Sequence, residues 1–155
     1  AKIRGINANV KFILLYGFSV AACYTYTDSK ATTVTSSMVN GQWSMIETET
    51  PVDKSVRNVA NLSATWDHVW KNYHLNINFN GHIQGRLYNS TYGYAPRYQQ
   101  WNLNTSHAFI MDTFVLEPGI GIDNIFNKRD TSPWNSNFST INPGRALHVS
   151  VKAKF

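Results

Sequence analysis

The stretch Ala146–Phe155 alternates without interruption: Leu147, Val149, Val151, Ala153 and Phe155 against Ala146, His148, Ser150, Lys152 and Lys154. Side chains of a strand point to opposite faces with a period of two, so this segment predicts a strand with one apolar and one wet face. The same alternation recurs along most of the chain. In Leu75–Gln84, Leu75, Ile77, Phe79, Gly81 and Ile83 oppose Asn76, Asn78, Asn80, His82 and Gln84. Helical spacing fails there, because it would put Leu75 on one face with Asn78 and His82.

The pattern predicts seven strands, near 4–12, 18–27, 56–67, 75–84, 98–108, 115–125 and 146–155. Pro118 within the sixth implies a bulge or local break, because proline cannot donate to a ladder. Tight turns are expected near 14–17, 68–73 and 110–113. Long polar loops are expected near 28–55, 88–97 and 126–143. Connections therefore alternate short and long, as in an antiparallel sheet with tight turns at one end and long loops at the other. That asymmetry is the pattern of an outer-membrane barrel.

Composition agrees. Charged residues make up only 15% of the 155 residues and aromatics 14%, at a net charge of +5. The polar faces are Asn, Ser, Thr, Gln and His rather than Lys and Glu, which suits a hydrated lumen more than bulk solvent. The apolar faces carry no mid-strand charge, so a greasy phase must cover them: lipid, or a second sheet in a soluble β-sandwich. Two aromatic belts are expected, Tyr16, Trp70, Tyr73 and Phe155 by the short turns and Tyr26, Tyr88, Tyr98, Trp101 and Phe126 toward the long loops.

Several function classes find no support. No Lys/Arg run points to nucleic acid. Cys23 is alone and reads as a spectator thiol, and the histidines have no ligand spacing. Asp67 with His68, and Asp123 with Asp130, lack a serine nucleophile or Gly-rich elbow, so an enzyme is not expected. Nor is a cofactor or metal.

Gly121-Ile122-Asp123-Asn124-Ile125-Phe126-Asn127-Lys128 resembles a recurrent barrel segment of TonB-dependent outer-membrane receptors. Pro143-Gly144-Arg145 leading into a last strand that ends on Phe155 is similar to the carboxyl end of that family. Tyr24-Thr25-Tyr26-Thr27-Asp28 and Gly85-Arg86-Leu87-Tyr88 resemble further strand ends. The resemblance covers essentially the whole chain, as the last seven strands of a barrel of about 22. It implies a transmembrane antiparallel β-barrel whose plug domain is absent from this chain, which would then be a carboxyl-terminal part of a longer receptor. It also implies energised uptake of a scarce ligand such as an iron–siderophore, haem or cobalamin. The implied partners are outer-membrane lipid, the plug and remaining strands, the TonB complex acting through the plug and, in some relatives, a surface lipoprotein. Phe155 would be the assembly signal. The alternatives are a small porin-like or structural barrel, or a soluble β-sandwich binding module.

Candidate ligand contacts in the long loops are Trp43, Met45, Tyr92, Tyr94, Arg97 and Trp134, since rings with a few polar groups suit a planar or sugar-like ligand. The alternative is that these rings pack the loops together or sit at the membrane surface. Asn78, His82, Arg86 and His148 are expected to face the lumen or plug, with His82 also weighed as a haem ligand.

Overall fold

The computed structural model describes residues 1–129 and 143–155. The chain is all-β. The described residues form one eight-stranded antiparallel sheet, seven strands of which run side by side in sequence order: β1 (Lys2–Ile13), β2 (Phe18–Val39), β4 (Asn58–Trp70), β5 (Tyr73–Gln84), β8 (Tyr98–Ile110), β9 (Val115–Asp123) and β10 (Ala146–Lys154). β3 (Gln42–Pro51) pairs with β2 alone, and β6 (Tyr88–Asn89) with β7 (Gly93–Tyr94) makes a separate small hairpin. β1 and β10 each have one neighbour, so the sheet is open.

The register carries the alternation across the whole sheet. Phe12, Val20, Ala64, Phe79, Leu103, Ile122 and Leu147 are successive cross-strand partners, so they stand on one face. Asn9, Cys23, Asn61, His82 and Gln100 form a matching row on the other. The charged side chains of the strands divide accordingly. Lys11, Asp67, Glu117, Asp123, Lys152 and Lys154 fall on the polar face. Lys2, Arg4, Asp28 and Lys30 share the apolar side only beyond Ile6 and Tyr26, at the long-loop end.

Nothing among the described residues packs on the apolar face. Ile6, Leu147 and Val149 are 70%, 69% and 67% exposed. The buried apolar side chains among the described residues are Ala95, in a loop, and Ala108, on the polar face. Each large aliphatic side chain left in water forgoes about 1.5–3 kcal/mol of burial, so this sheet does not hold a core of its own.

Among the connections that join neighbours of the seven-strand path, the tight ones all fall at one end. Leu15–Gly17 turns β1 into β2 with Tyr16 and Gly17 at φ 61° and 82°. Lys71-Asn72 joins β4 to β5, narrower than the turn expected over 68–73, so His68 and Trp70 belong to β4 and stand on the apolar face. There Phe18 stacks on Trp66 (5.6 Å), Trp70 on Tyr73 (5.4 Å), and Tyr73 meets Phe109 (5.2 Å). The Trp66 indole N–H donates to the Tyr16 carbonyl at 3.0 Å. This row extends the belt expected from Tyr16, Trp70 and Tyr73. At the other end Tyr24, Tyr26 and Trp101 share the apolar face. Tyr98 does not: it is on the polar face and donates to Gln100 Oε1 at 3.1 Å.

Two expectations change. The stretch 28–55 is no irregular loop. β2 continues to Val39, turns at Asn40-Gly41 (φ 51° and 77°) and returns as β3, ending with Pro51 opposite Lys30. Asn-Gly with both residues at positive φ is the two-residue turn that matches strand twist, so the local signal was present in the sequence. β9 ends at Asp123, earlier than expected, and holds one register before and after Pro118. No residue is inserted; the β8 ladder lapses around Pro118 while Val151 of β10 still faces it.

Glycine permits one close packing. A Cβ on Gly81 would collide with the Trp101 ring, which crosses that position and stacks on Phe79 at 5.2 Å.

Candidate functional site

Toward the long loops lies a cavity of about 690 Å³, lined by Tyr24, Thr27 and Ser29 of β2, by the first residues of β4 and by the last of β5. It is built by two segments running side by side beyond the sheet. Gly85 N donates to Asn58 O (2.7 Å), Tyr88 N to Ser55 O (2.9 Å) and Lys54 N to Tyr88 O (2.9 Å). Asn89, buried, accepts from the amides of Thr91 (2.9 Å) and Tyr92 (3.0 Å), an Asx turn that folds β6 back toward β7 through Gly93 at φ 80°. Tyr88 and Tyr94 thus meet at 5.2 Å. On the opposite wall the Tyr24 hydroxyl donates to Asn58 Oδ1 at 2.7 Å. Arg57, Arg86 and Arg97 converge on the same space. Arg57 is paired with Asp28 at 3.1 Å.

Of the expected loop contacts, the structure brings Tyr94 and Arg97 together here and adds Arg86. Arg86 lies beyond the end of β5 in this cavity, apart from the strand positions of Asn78, His82 and His148. Tyr92 is exposed and does not line the cavity. Trp43 is opposite Met38 at the hairpin tip, 72% exposed, about 25 Å from Pro51 at ~3.3 Å per residue, so it belongs to a different surface. Trp134 and Asp130 lie outside the described residues. Sequence reading missed Tyr24, Arg57 and Tyr88 as wall residues, since only the pairing of 53–58 with 85–90 brings them together.

The Asp53 carboxylate ties this wall down by accepting the Ser90 amide at 2.7 Å. That bond, helped by Lys54, holds its pKa below the ordinary 3.8. A depressed folded-state pKa stabilises above the unfolded value and is lost as pH falls through the folded one. Ser90 amide protection is therefore expected to fall on acidification below 3.8, and Asp53→Asn should remove that pH dependence; hydrogen exchange across a pH series reads both.

The polar face carries a relay of amides. Gln100 Nε2 donates to Asn102 Oδ1 (3.2 Å), Asn102 Nδ2 to Asn80 Oδ1 (3.0 Å), Asn80 Nδ2 to Asn78 Oδ1 (2.8 Å), and Asn78 Nδ2 to Thr65 Oγ1 (2.9 Å). His82 Nδ1 is 2.7 Å from Asn61 Oδ1, beside a groove of about 550 Å³ that crosses β1, β2, β4 and β5. His148 approaches Asp123 at 3.5 Å and reaches over Gly121, where a Cβ would collide with its ring. Asn78, His82 and His148 therefore share the polar face of the sheet. Phe155 rests near Phe114, with ring centroids 6.2 Å apart. Among the described residues no group of three His, Cys, Asp or Glu side chains could hold a metal ion.

The segment Gly121–Lys128 owes its shape to Asn124, which is 1% exposed at φ 51°. Its amide donates to Asn102 Oδ1 (2.9 Å) and its Oδ1 accepts from Lys128 N (2.9 Å). Its Nδ2 donates to Lys128 O (2.8 Å) and Pro143 O (3.1 Å). Asn127 Oδ1 then accepts the Arg145 amide at 2.9 Å. Comparison of the chain with protein-family models, curated proteins and solved structures gives no match.

Proposed function

We propose that this chain is the carboxyl-terminal wall of a TonB-dependent receptor in the outer membrane of a Gram-negative bacterium. In this reading it belongs to a 22-stranded barrel that imports a scarce ligand such as an iron–siderophore, haem or cobalamin. The observation that carries the reading is the continuous, uncovered apolar face of all seven strands, free of Lys, Arg, Asp and Glu between its aromatic rows. Lipid would cover it. Tyr73 to Ile83 spans about 34 Å at ~3.4 Å per residue. At a barrel tilt near 40° that is roughly 26 Å of height, against an apolar band of about 25 Å in such barrels. Aromatic rows bound this interval on the same face, and the Arg4, Asp28 and Lys30 positions follow just outside it.

The polar face would meet the plug. Its relay of Asn and Gln offers neutral donors and acceptors, which suit a hydrated lumen or a docked polypeptide. β1 and β10 each present a free edge at which further strands of a closed barrel would pair. The TonB complex would act through the plug. A porin-like barrel shares the lipid-facing wall but needs no energy, and this separates the readings. Uptake by cells bearing the receptor should stop when the proton-motive force is collapsed. A ligand copurified from the intact protein, read by absorbance and mass spectrometry, should be the one imported. Uptake that persists without the proton-motive force would replace the receptor by a passive pore. A freely water-soluble intact protein would remove the membrane reading altogether.

A further inference from the structure

We propose that the 690 Å³ cavity is a binding site for a small organic anion, in which an oxyanion is held by Arg86 and Arg97 and a flat apolar part lies against Tyr88 and Tyr94. Guanidinium groups stay charged at any physiological pH and present forked donors matched to carboxylate and phosphate. Three of them converge here from three separate segments. Among the described residues only Arg57 is compensated, by Asp28 at 3.1 Å. Arg86 and Arg97 form no ion pair with any described residue. Asp53, next to Lys54 in the segment that runs beside Tyr88, is committed to the Ser90 amide and does not line the cavity.

Two uncompensated cations in a concavity focus a positive field and raise the local concentration of anions. The volume falls in the range of small-molecule sites, about 300–1,000 Å³. The remaining wall is mixed: Tyr24 is pinned to Asn58, and Tyr88 and Tyr94 present ring surface. A bare inorganic ion would leave that surface unused. A phospholipid headgroup offers the same oxyanion chemistry from a different source. The assignment does not rest on the transport reading, because binding is measured without uptake.

The test uses the intact protein that carries this chain, reconstituted in phosphatidylcholine nanodiscs and titrated with naphthyl phosphate or with inorganic phosphate. Naphthyl phosphate should bind saturably and more tightly than inorganic phosphate. Arg86→Gln and Arg97→Gln should each weaken it roughly tenfold or more, the scale of a charge-assisted hydrogen bond. Tyr94→Ala should weaken naphthyl phosphate and leave inorganic phosphate unchanged. Lys152→Gln, on the polar face at the far end of the sheet, should change neither. Nanodiscs doped with phosphatidic acid identify a lipid source: retention of that lipid in native mass spectrometry, lost in Arg86→Gln/Arg97→Gln, supports the oxyanion site with a lipid as occupant. Absence of binding to all of these probes, or equal loss in Lys152→Gln, overturns the proposal.

Discussion

Leu147→Arg is expected to block stable membrane assembly, while Ser150→Arg on the same strand is expected to assemble. Leu147 lies on the apolar face, in the cross-strand row of Phe79, Ala64 and Val20. A cation on the lipid face at the bilayer midplane costs about 2–4 kcal/mol. Ser150 pairs with Gly119 on the opposite face, already home to Lys152 and Lys154, where an added guanidinium keeps its water. Asn78→Arg is a poorer control, because Asn78 bonds Thr65 and accepts from Asn80. Resistance to protease in reconstituted membranes reads the assembled fraction. Equal behaviour of the two variants would overturn the facing. A soluble sandwich would also reject Leu147→Arg, so Val149→Trp makes the finer distinction. Fluid lipid accommodates the larger ring, whereas a second sheet packed on Val149 would lose about 1–3 kcal/mol to overpacking.

Strand positions and faces were legible because the period of two is local. Every pair in Leu75–Gln84 falls on the face its alternation predicts, and the register only joins faces already defined. Register, in turn, follows from short turns, since Lys71-Asn72 leaves little freedom in how β4 meets β5. The hairpin of β2 and β3 was missed for a physical reason. Thr32–Ser37 is a run of Thr and Ser with only Val34 between them, so it has little apolar contrast, although Asn40-Gly41 marked the turn. The cavity was legible only in part. Tyr94 and Arg97 stand out as ring and charge in a Gly/Pro-rich stretch. Arg57 and Tyr24 are far away in sequence, and nothing local says that 53–58 will lie against 85–90.

Asn124→Ala is expected to cost about 3–5 kcal/mol in the segment that closes β9 onto β10. Each lost hydrogen bond of a buried group is worth about 1 kcal/mol, and carbonyls left unpaired cost more. Alanine in left-handed backbone adds about 1–2 kcal/mol. Asn124→Gly separates the terms, since glycine accepts φ 51° and loses only the side-chain bonds. Asn124→Asp keeps the acceptor for Lys128 N but sets a carboxylate against the carbonyls of Lys128 and Pro143, so it should be as damaging as alanine. Amide exchange at Lys128 and Arg145, the latter held by Asn127, reports the loss directly. If Asn124→Ala left both amides protected, the clamp would be incidental. The buried asparagine would then no longer explain why Gly121–Lys128 takes this form. If protection is lost, as expected, the segment Gly121–Lys128 owes its residue types to one demand. A side chain with both a donor and an acceptor must sit at positive φ and tie the two ends of a long connection to the sheet.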